Sequence, residues 1–282
     1  MTKNVLTNIF SAARELLRGW PALGVLSLLY AMLLGAFYLF ITTREASVWQ
    51  LLVTSVLAVA VPLLFFVLQA GSARAALGEM RPITLLAQAL RNSWKLILVS
   101  LPLIALAAVF IYGTNRLEQR VQPSEEEMAQ VIAERQERAA LRPEGAPAPP
   151  PVRWSYVTVI ALRLLLLGVV LPLLTINLWL AVAREGLGGA LRRLGDTLTR
   201  AFAPQTILTY AIGMILFALV PYFLLFAPTR VGSNWLELTF FSLRLLLAFV
   251  FTLFGWTLTM RALARANMLG TTVPESSSAL AQ

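Results

Sequence analysis

Apolar and polar positions alternate along this chain on the scale of whole helices. Six apolar blocks, over about 20–41, 48–70, 95–113, 155–182, 204–227 and 238–260, are separated by more polar segments. Each has about 19–28 residues, and at about 1.5 Å per residue that crosses a hydrocarbon core of about 30 Å. Backbone groups in lipid must satisfy one another, so the blocks predict transmembrane helices and an all-α, polytopic fold. The first block follows an amphipathic segment and is too long for the apolar part of a secretory signal. No small-residue cleavage site follows it, so it reads as a retained span.

The intervening segments differ in basic content. Lys3, Arg14 and Arg18, then Arg74, Arg81, Arg91 and Lys95, then Arg184, Arg192, Arg193 and Arg200, and finally Arg261 and Arg265 fall on one side. The opposite short loops carry only Arg44 and Arg230. An excess of basic residues marks the cytoplasmic face, which predicts that both termini are cytoplasmic. The net charge of +9 follows from this distribution. It suits anionic lipid head groups and brings no nucleic-acid motif, so nucleic acid is not an expected partner.

The long loop, 114–153, is different. Its six arginines nearly balance seven glutamates, which is compatible with translocation. Ser124-Glu125-Glu126-Glu127 has a capping-box pattern, and Glu134 with Arg138 supports a short helix over 125–141. Pro147-Ala148-Pro149-Pro150-Pro151 then forms an extended spacer. This external loop is either a solvated helix on a spacer or an arm that docks a partner. Residues 271–282 read as a disordered tail.

An internal repeat organises the spans into one transmembrane domain, 1–270. The second, fourth and sixth spans end in Ala73-Arg74, Ala183-Arg184 and Ala264-Arg265. A shift of 81 places aligns Leu162-Arg163-Leu164-Leu165-Leu166 with Leu243-Arg244-Leu245-Leu246-Leu247. The odd spans share the approaches Leu17-Arg18-Gly19-Trp20, Leu90-Arg91-Asn92-Ser93-Trp94 and Thr199-Arg200-Ala201-Phe202. The unit is an amphipathic lead-in helix followed by a hairpin of two spans, and three copies in one orientation imply an axis along the membrane normal. In the lead-ins, Ile83, Leu86 and Leu90, and Leu187, Leu191, Leu194, Leu198 and Phe202, recur at helical spacing. Such helices lie in the interface with their apolar face in lipid.

Gly71-Ser72-Ala73-Arg74, Leu85, Ala89-Leu90-Arg91 and Trp94, with the counterpart Ala183-Arg184-Glu185-Gly186, Leu191 and Leu198-Thr199-Arg200, resemble a family of uncharacterised bacterial multi-pass membrane proteins. The pattern is similar to the membrane domain attached to some bacterial glycerophosphodiester phosphodiesterases. The resemblance covers most of the chain outside 114–153 and implies an accessory membrane domain. The phosphodiesterase catalytic domain is absent, so that activity does not carry over.

Chemistry is scarce. The chain is 58% hydrophobic and 13% charged, and it contains neither Cys nor His. Disulfides, thiolate ligands and the usual general base near neutral pH are therefore excluded. No metal or cofactor site is expected, nor is a Ser/His or Ser/Lys nucleophile, so the chain reads as no enzyme. Gly186, Gly188 and Gly189 form a turn that lacks the lysine of a phosphate-binding loop. Inside the spans, Arg163 and Arg244 stand out, because a charge at the hydrocarbon centre costs at least about 2.5–3.5 kcal/mol. They snorkel to the outer head groups, face a common cavity as an anion or lipid head-group site, or make helix-packing hydrogen bonds to carbonyls. Pro62, Pro102, Pro172 and Pro221 predict kinked spans. Asn177 either satisfies carbonyls freed by Pro172 or lines a site. Trp20, Trp49, Trp94, Trp154, Trp235 and Trp256 read as interfacial anchors. Together these residues suggest an accessory or scaffold protein engaging membrane lipids or another membrane protein. The alternative is a transporter of lipids or small molecules that uses the two arginines.

Overall fold

The computed structural model describes residues 2–43, 47–121, 133, 154–227 and 234–269, and among these there is no strand. Helix α1 (Thr2–Arg18) precedes the hairpin of α2 (Trp20–Thr42) and α3 (Val48–Ala76). Helix α4 (Pro82–Val121) is followed by α5 (Trp154–Leu165), which continues through a π-helical turn (Leu166–Val170) into α6 (Leu171–Arg192). Helix α7 (Leu194–Ala201) leads to α8 (Pro204–Met214), a π-helical turn (Ile215–Leu219) and α9 (Val220–Phe226), and α10 (Asn234–Leu269) follows. Six of these stretches are long and apolar enough to cross a membrane. The chain is an all-α, polytopic membrane protein.

The sequence locates the spans but not their ends. Helix α4 runs on to Val121, so Thr114–Val121 is helix where a loop is expected; the Thr114 hydroxyl donates to the Phe110 carbonyl at 2.8 Å. The lead-in 83–91 and the third span are likewise one continuous helix. Elsewhere the lead-in is a separate helix for a local reason. Gly19 interrupts the chain before Trp20-Pro21, and Ala203 adopts an extended conformation before Pro204. Arg91-Asn92-Ser93-Trp94 contains neither Gly nor Pro. The expected helix over 125–141, the proline spacer and the tail 271–282 lie outside the described residues, apart from Ala133.

Prolines act in two ways. Pro172 and Pro221 each follow a π-helical turn by two residues, whereas Pro62 and Pro102 sit inside continuous α-helix. A proline ring collides with the carbonyl one turn earlier, and widening that turn by one residue relieves the collision. Helix α3 ends in a Schellman motif: Glu79 N–H donates to Arg74 C=O and Gly78 N–H to Ala75 C=O, both at 3.1 Å. Gly78 supplies the positive φ of 106° that this geometry needs.

Two compact units divide the chain, 1–101 with 173–282, and 102–172. In the first, burial follows the repeat. Val67–Ala73, Asn177–Ala183 and Leu258–Ala264 superpose when the three Ala-Arg steps are aligned, and every position in them except Ala181 is buried. Small residues dominate α3 there (Ala70, Gly71, Ser72, Ala73, Ala75, Ala76), as expected where helices must approach closely without a hydrophobic driving force. A Cβ at Gly71 would lie 3.0 Å from Leu26 Cδ2 and 3.6 Å from Ala89 Cβ. Ala12 and Leu16 of α1 pack with Leu258 and Ala262 of α10. Further along the spans, Phe37, Tyr38, Val56, Val59, Leu243 and Leu246 are exposed, the side that lipid covers. In the second unit, α4 and α5 meet where Glu118 faces Arg163.

Candidate functional site

Arg163 and Arg244 each have a protein partner. Arg163 Nη1 lies 3.6 Å from Glu118 Oε2, with the arginine side chain 43% exposed. Glu118 belongs to the extension of α4, which explains why the sequence shows no acid near a span. Arg244 Nη1 donates to the carbonyl of Ala227 at 2.5 Å, closing the C-terminus of α9. The two arginines belong to different compact units, and each is engaged within its own.

A second polar assembly lies at the ends of the spans that carry the Ala-Arg steps. Arg261, one residue after the buried Met260, is itself only 7% exposed. Its Nη1 donates to the Ala75 carbonyl at 3.1 Å and its Nη2 to Glu15 Oε2 at 2.7 Å. Arg265 pairs with the other oxygen of Glu15 and donates to Ser11 Oγ at 2.7 Å. The guanidinium hydrogen bonds, Arg261's first, hold the Glu15 carboxyl below its usual range, opposed by a smaller desolvation effect. The Glu15 carboxylate thereby ties α1 to α10, and the Arg261 guanidinium carries the link on to α3. Sequence gives no signal for this, because the partners are 246 positions apart.

Two indoles tie further helices together. Trp256 Nε1 donates to Gln69 Oε1 at 2.8 Å, and Trp179 Nε1 donates to Ser100 Oγ at 2.9 Å. Trp256 is half-buried, with its indole turned onto Gln69, whereas Trp20, Trp49, Trp94, Trp154 and Trp235 are exposed. Asn177 donates to the Leu173 carbonyl at 2.8 Å, not to one freed by Pro172, and accepts from Asn267 Nδ2 at 2.8 Å.

Asn177 and Asn267 also line an open recess of about 430 Å³, including the solvent at its mouth. Its walls carry Arg184, Arg193, Arg200, Glu185 and Asp196, with Thr197 between them. It forms because Gly186 (φ 76°, ψ 176°) breaks the helix, a conformation open only to glycine, and turns the following residues back over the end of α6. Glu185 lies 3.5 Å from Arg193. Arg184, Arg200 and Asp196 make no ion pair among the described residues. No protein-family model, curated protein or solved structure matches this chain. Among the described residues no group of His, Cys, Asp or Glu could hold a metal ion. The chemistry on offer is electrostatic: guanidinium groups at the membrane boundary.

Proposed function

We propose that the chain is a non-catalytic accessory protein of a bacterial-type inner membrane, with both termini in the cytoplasm, that engages anionic lipids through a basic collar. One observation carries this reading. Each lead-in segment packs one face on the spans and leaves a second apolar ridge uncovered beside exposed arginines. In α1, Val5, Ala12 and Leu16 are buried while Leu6, Phe10 and Leu17 are exposed next to Arg14 and Arg18. In α4, Leu85 and Ala89 are buried while Ile83, Leu86 and Leu90 are exposed next to Arg81 and Arg91. Leu191, Leu194, Leu198 and Phe202 repeat the ridge beside Arg192. An apolar ridge flanked by cations suits the boundary between acyl chains and anionic head groups. Another membrane protein could cover the same ridges, as the resemblance to accessory membrane domains also suggests. The transporter alternative has less to stand on, because Arg163 and Arg244 both have protein partners.

The test is lipid selection by the full chain in nanodiscs of mixed phosphatidylcholine and phosphatidylglycerol. The boundary lipids, read by native mass spectrometry, are expected to be enriched in the anionic species. Changing Arg14, Arg18, Arg81, Arg91 and Arg192 to Gln should remove most of that enrichment, at about 1 kcal/mol per charge. An unchanged boundary composition would reject the collar.

A further inference from the structure

The three copies of the unit meet through equivalent positions. Each second span ends on Arg74, Arg184 or Arg265, and each lead-in places Gln88, Thr197 or Glu15 three residues before its shared arginine. Where the third copy meets the first, Arg265 grips Glu15, and Ala262 packs with Leu16. Where the first meets the second, Gly71 lies against Ala89, the same pair of repeat positions as Ala262 and Leu16. Where the second meets the third, Arg184 and Thr197 line one recess. The same joint thus occurs three times with different contents. At one of them a carboxylate fills the position between guanidinium groups. At another, Thr197 is too short and uncharged to do so, and the position is open.

We propose that the recess between the second and third copies binds a phosphate group, held by Arg184 and Arg200 much as Arg261 and Arg265 hold the Glu15 carboxylate. Three arginines face two acids there, and Glu185 is occupied by Arg193. Arg184 and Arg200 remain for a ligand, opposed by Asp196 alone, so the recess keeps a net positive charge. Leu180 stands where Arg261 does in the third copy, so the second cation comes from the lead-in helix instead. Guanidinium forks match tetrahedral oxyanions, and a recess beside the span ends admits either a lipid phosphate or a free one. This site deepens the collar reading by naming the chemistry of one place, and neither of its arginines belongs to the set neutralised in the collar test.

The experiment uses the full chain purified in detergent and offered phosphatidic acid in mixed micelles or inorganic phosphate in solution. Bound lipid is read by native mass spectrometry and bound phosphate by calorimetry. Arg184→Gln with Arg200→Gln, and separately Thr197→Glu, should each weaken binding by about tenfold or more. Arg116→Gln, in the C-terminal extension of α4 and outside both the recess and the collar, should leave it unchanged. Thr197→Glu gives up only the exposed hydroxyl's hydrogen bond to the Arg193 carbonyl, 3.0 Å, and supplies an internal carboxylate at the position of Glu15, so it decides the matter if the double variant fails to fold. Retention of phosphatidic acid but not inorganic phosphate assigns a lipid head group; retention of both assigns the phosphate alone. Equal binding by wild type and Thr197→Glu, or no binding of either probe by wild type, overturns the site, whatever the collar does.

Discussion

Glu15 lies between two arginines of α10, and its charge is therefore linked to the joint between the first and last helices. Its carboxyl is held below the usual value of 4.5. A depressed carboxyl contributes stability that is present above the unfolded value and lost as pH falls through the folded one. Wild type should therefore lose stability relative to Glu15→Gln as pH drops below about 4.5. Near neutral pH the variant should be less stable by about 1 kcal/mol, a value kept small because the carboxylate side chain is 43% exposed and screened. Thermal melts of both proteins in detergent from about pH 7 to about pH 3 check this; a gap that does not narrow towards acid would refute it. At this scale the sequence was least informative. Position pointed to the lone-looking Arg163 and Arg244, whose partners are Glu118, in the segment assigned to the long loop, and the backbone carbonyl of Ala227, the last residue of the fifth block. The arginines at the span ends looked like topology markers, although Arg261 is a buried structural cation.

Elements were far more legible. A run of about 20 apolar residues has only one stable backbone solution in lipid, so the six spans follow directly from hydropathy. Their ends do not, because a helix need not stop where the hydrocarbon does, and α4 continues past it in both directions. Nor were the π-helical turns before Pro172 and Pro221 legible, since Pro62 and Pro102 produce none. The turn Ile215–Leu219 packs against Gly255 of α10: a Cβ there would come within 2.9 Å of the Phe217 backbone nitrogen and 3.1 Å of the Leu216 carbonyl carbon. Backbone cannot move aside as a side chain can, so Gly255→Ala should cost about 1–3 kcal/mol through overpacking. Gly35→Ala, with nothing within 4 Å, should be neutral or slightly stabilising through helix propensity. Unfolding of the two variants in mixed detergent and sodium dodecyl sulfate compares them; similar midpoints would mean that α8 and α10 are not held as closely as described.

At the scale of the molecule, the repeat seen in sequence becomes a closed arrangement at one end of the spans. The first copy touches the second at Gly71 and Ala89, the second touches the third at Asn177 and Asn267, and the third returns to the first at Arg265 and Glu15. Sequence could show three equivalent units in one orientation, but not that the last meets the first, because nothing in a linear alignment closes a ring. The local break at Gly19 that makes α1 a separate helix is what permits this closure. Ending at Gly19, α1 is free to turn against α10, while its counterpart at the start of α4 continues straight into the span. The chain has no cysteine, which permits a direct test. Ser11→Cys with Arg265→Cys, whose native side chains are 2.7 Å apart, should be joined in high yield by a short bis-maleimide in native membranes. Ser11→Cys with Ser55→Cys, which lies within α3 away from its Ala-Arg step, serves as the negative control. The linked protein should be more stable than the unlinked double variant by about 3–5 kcal/mol of loop-closure stabilisation, seen as a higher melting temperature, because the link encloses nearly the whole chain. Equal linking of the control pair, or none in the test pair, would mean that the three copies form an open row and that the Glu15 joint does not close it.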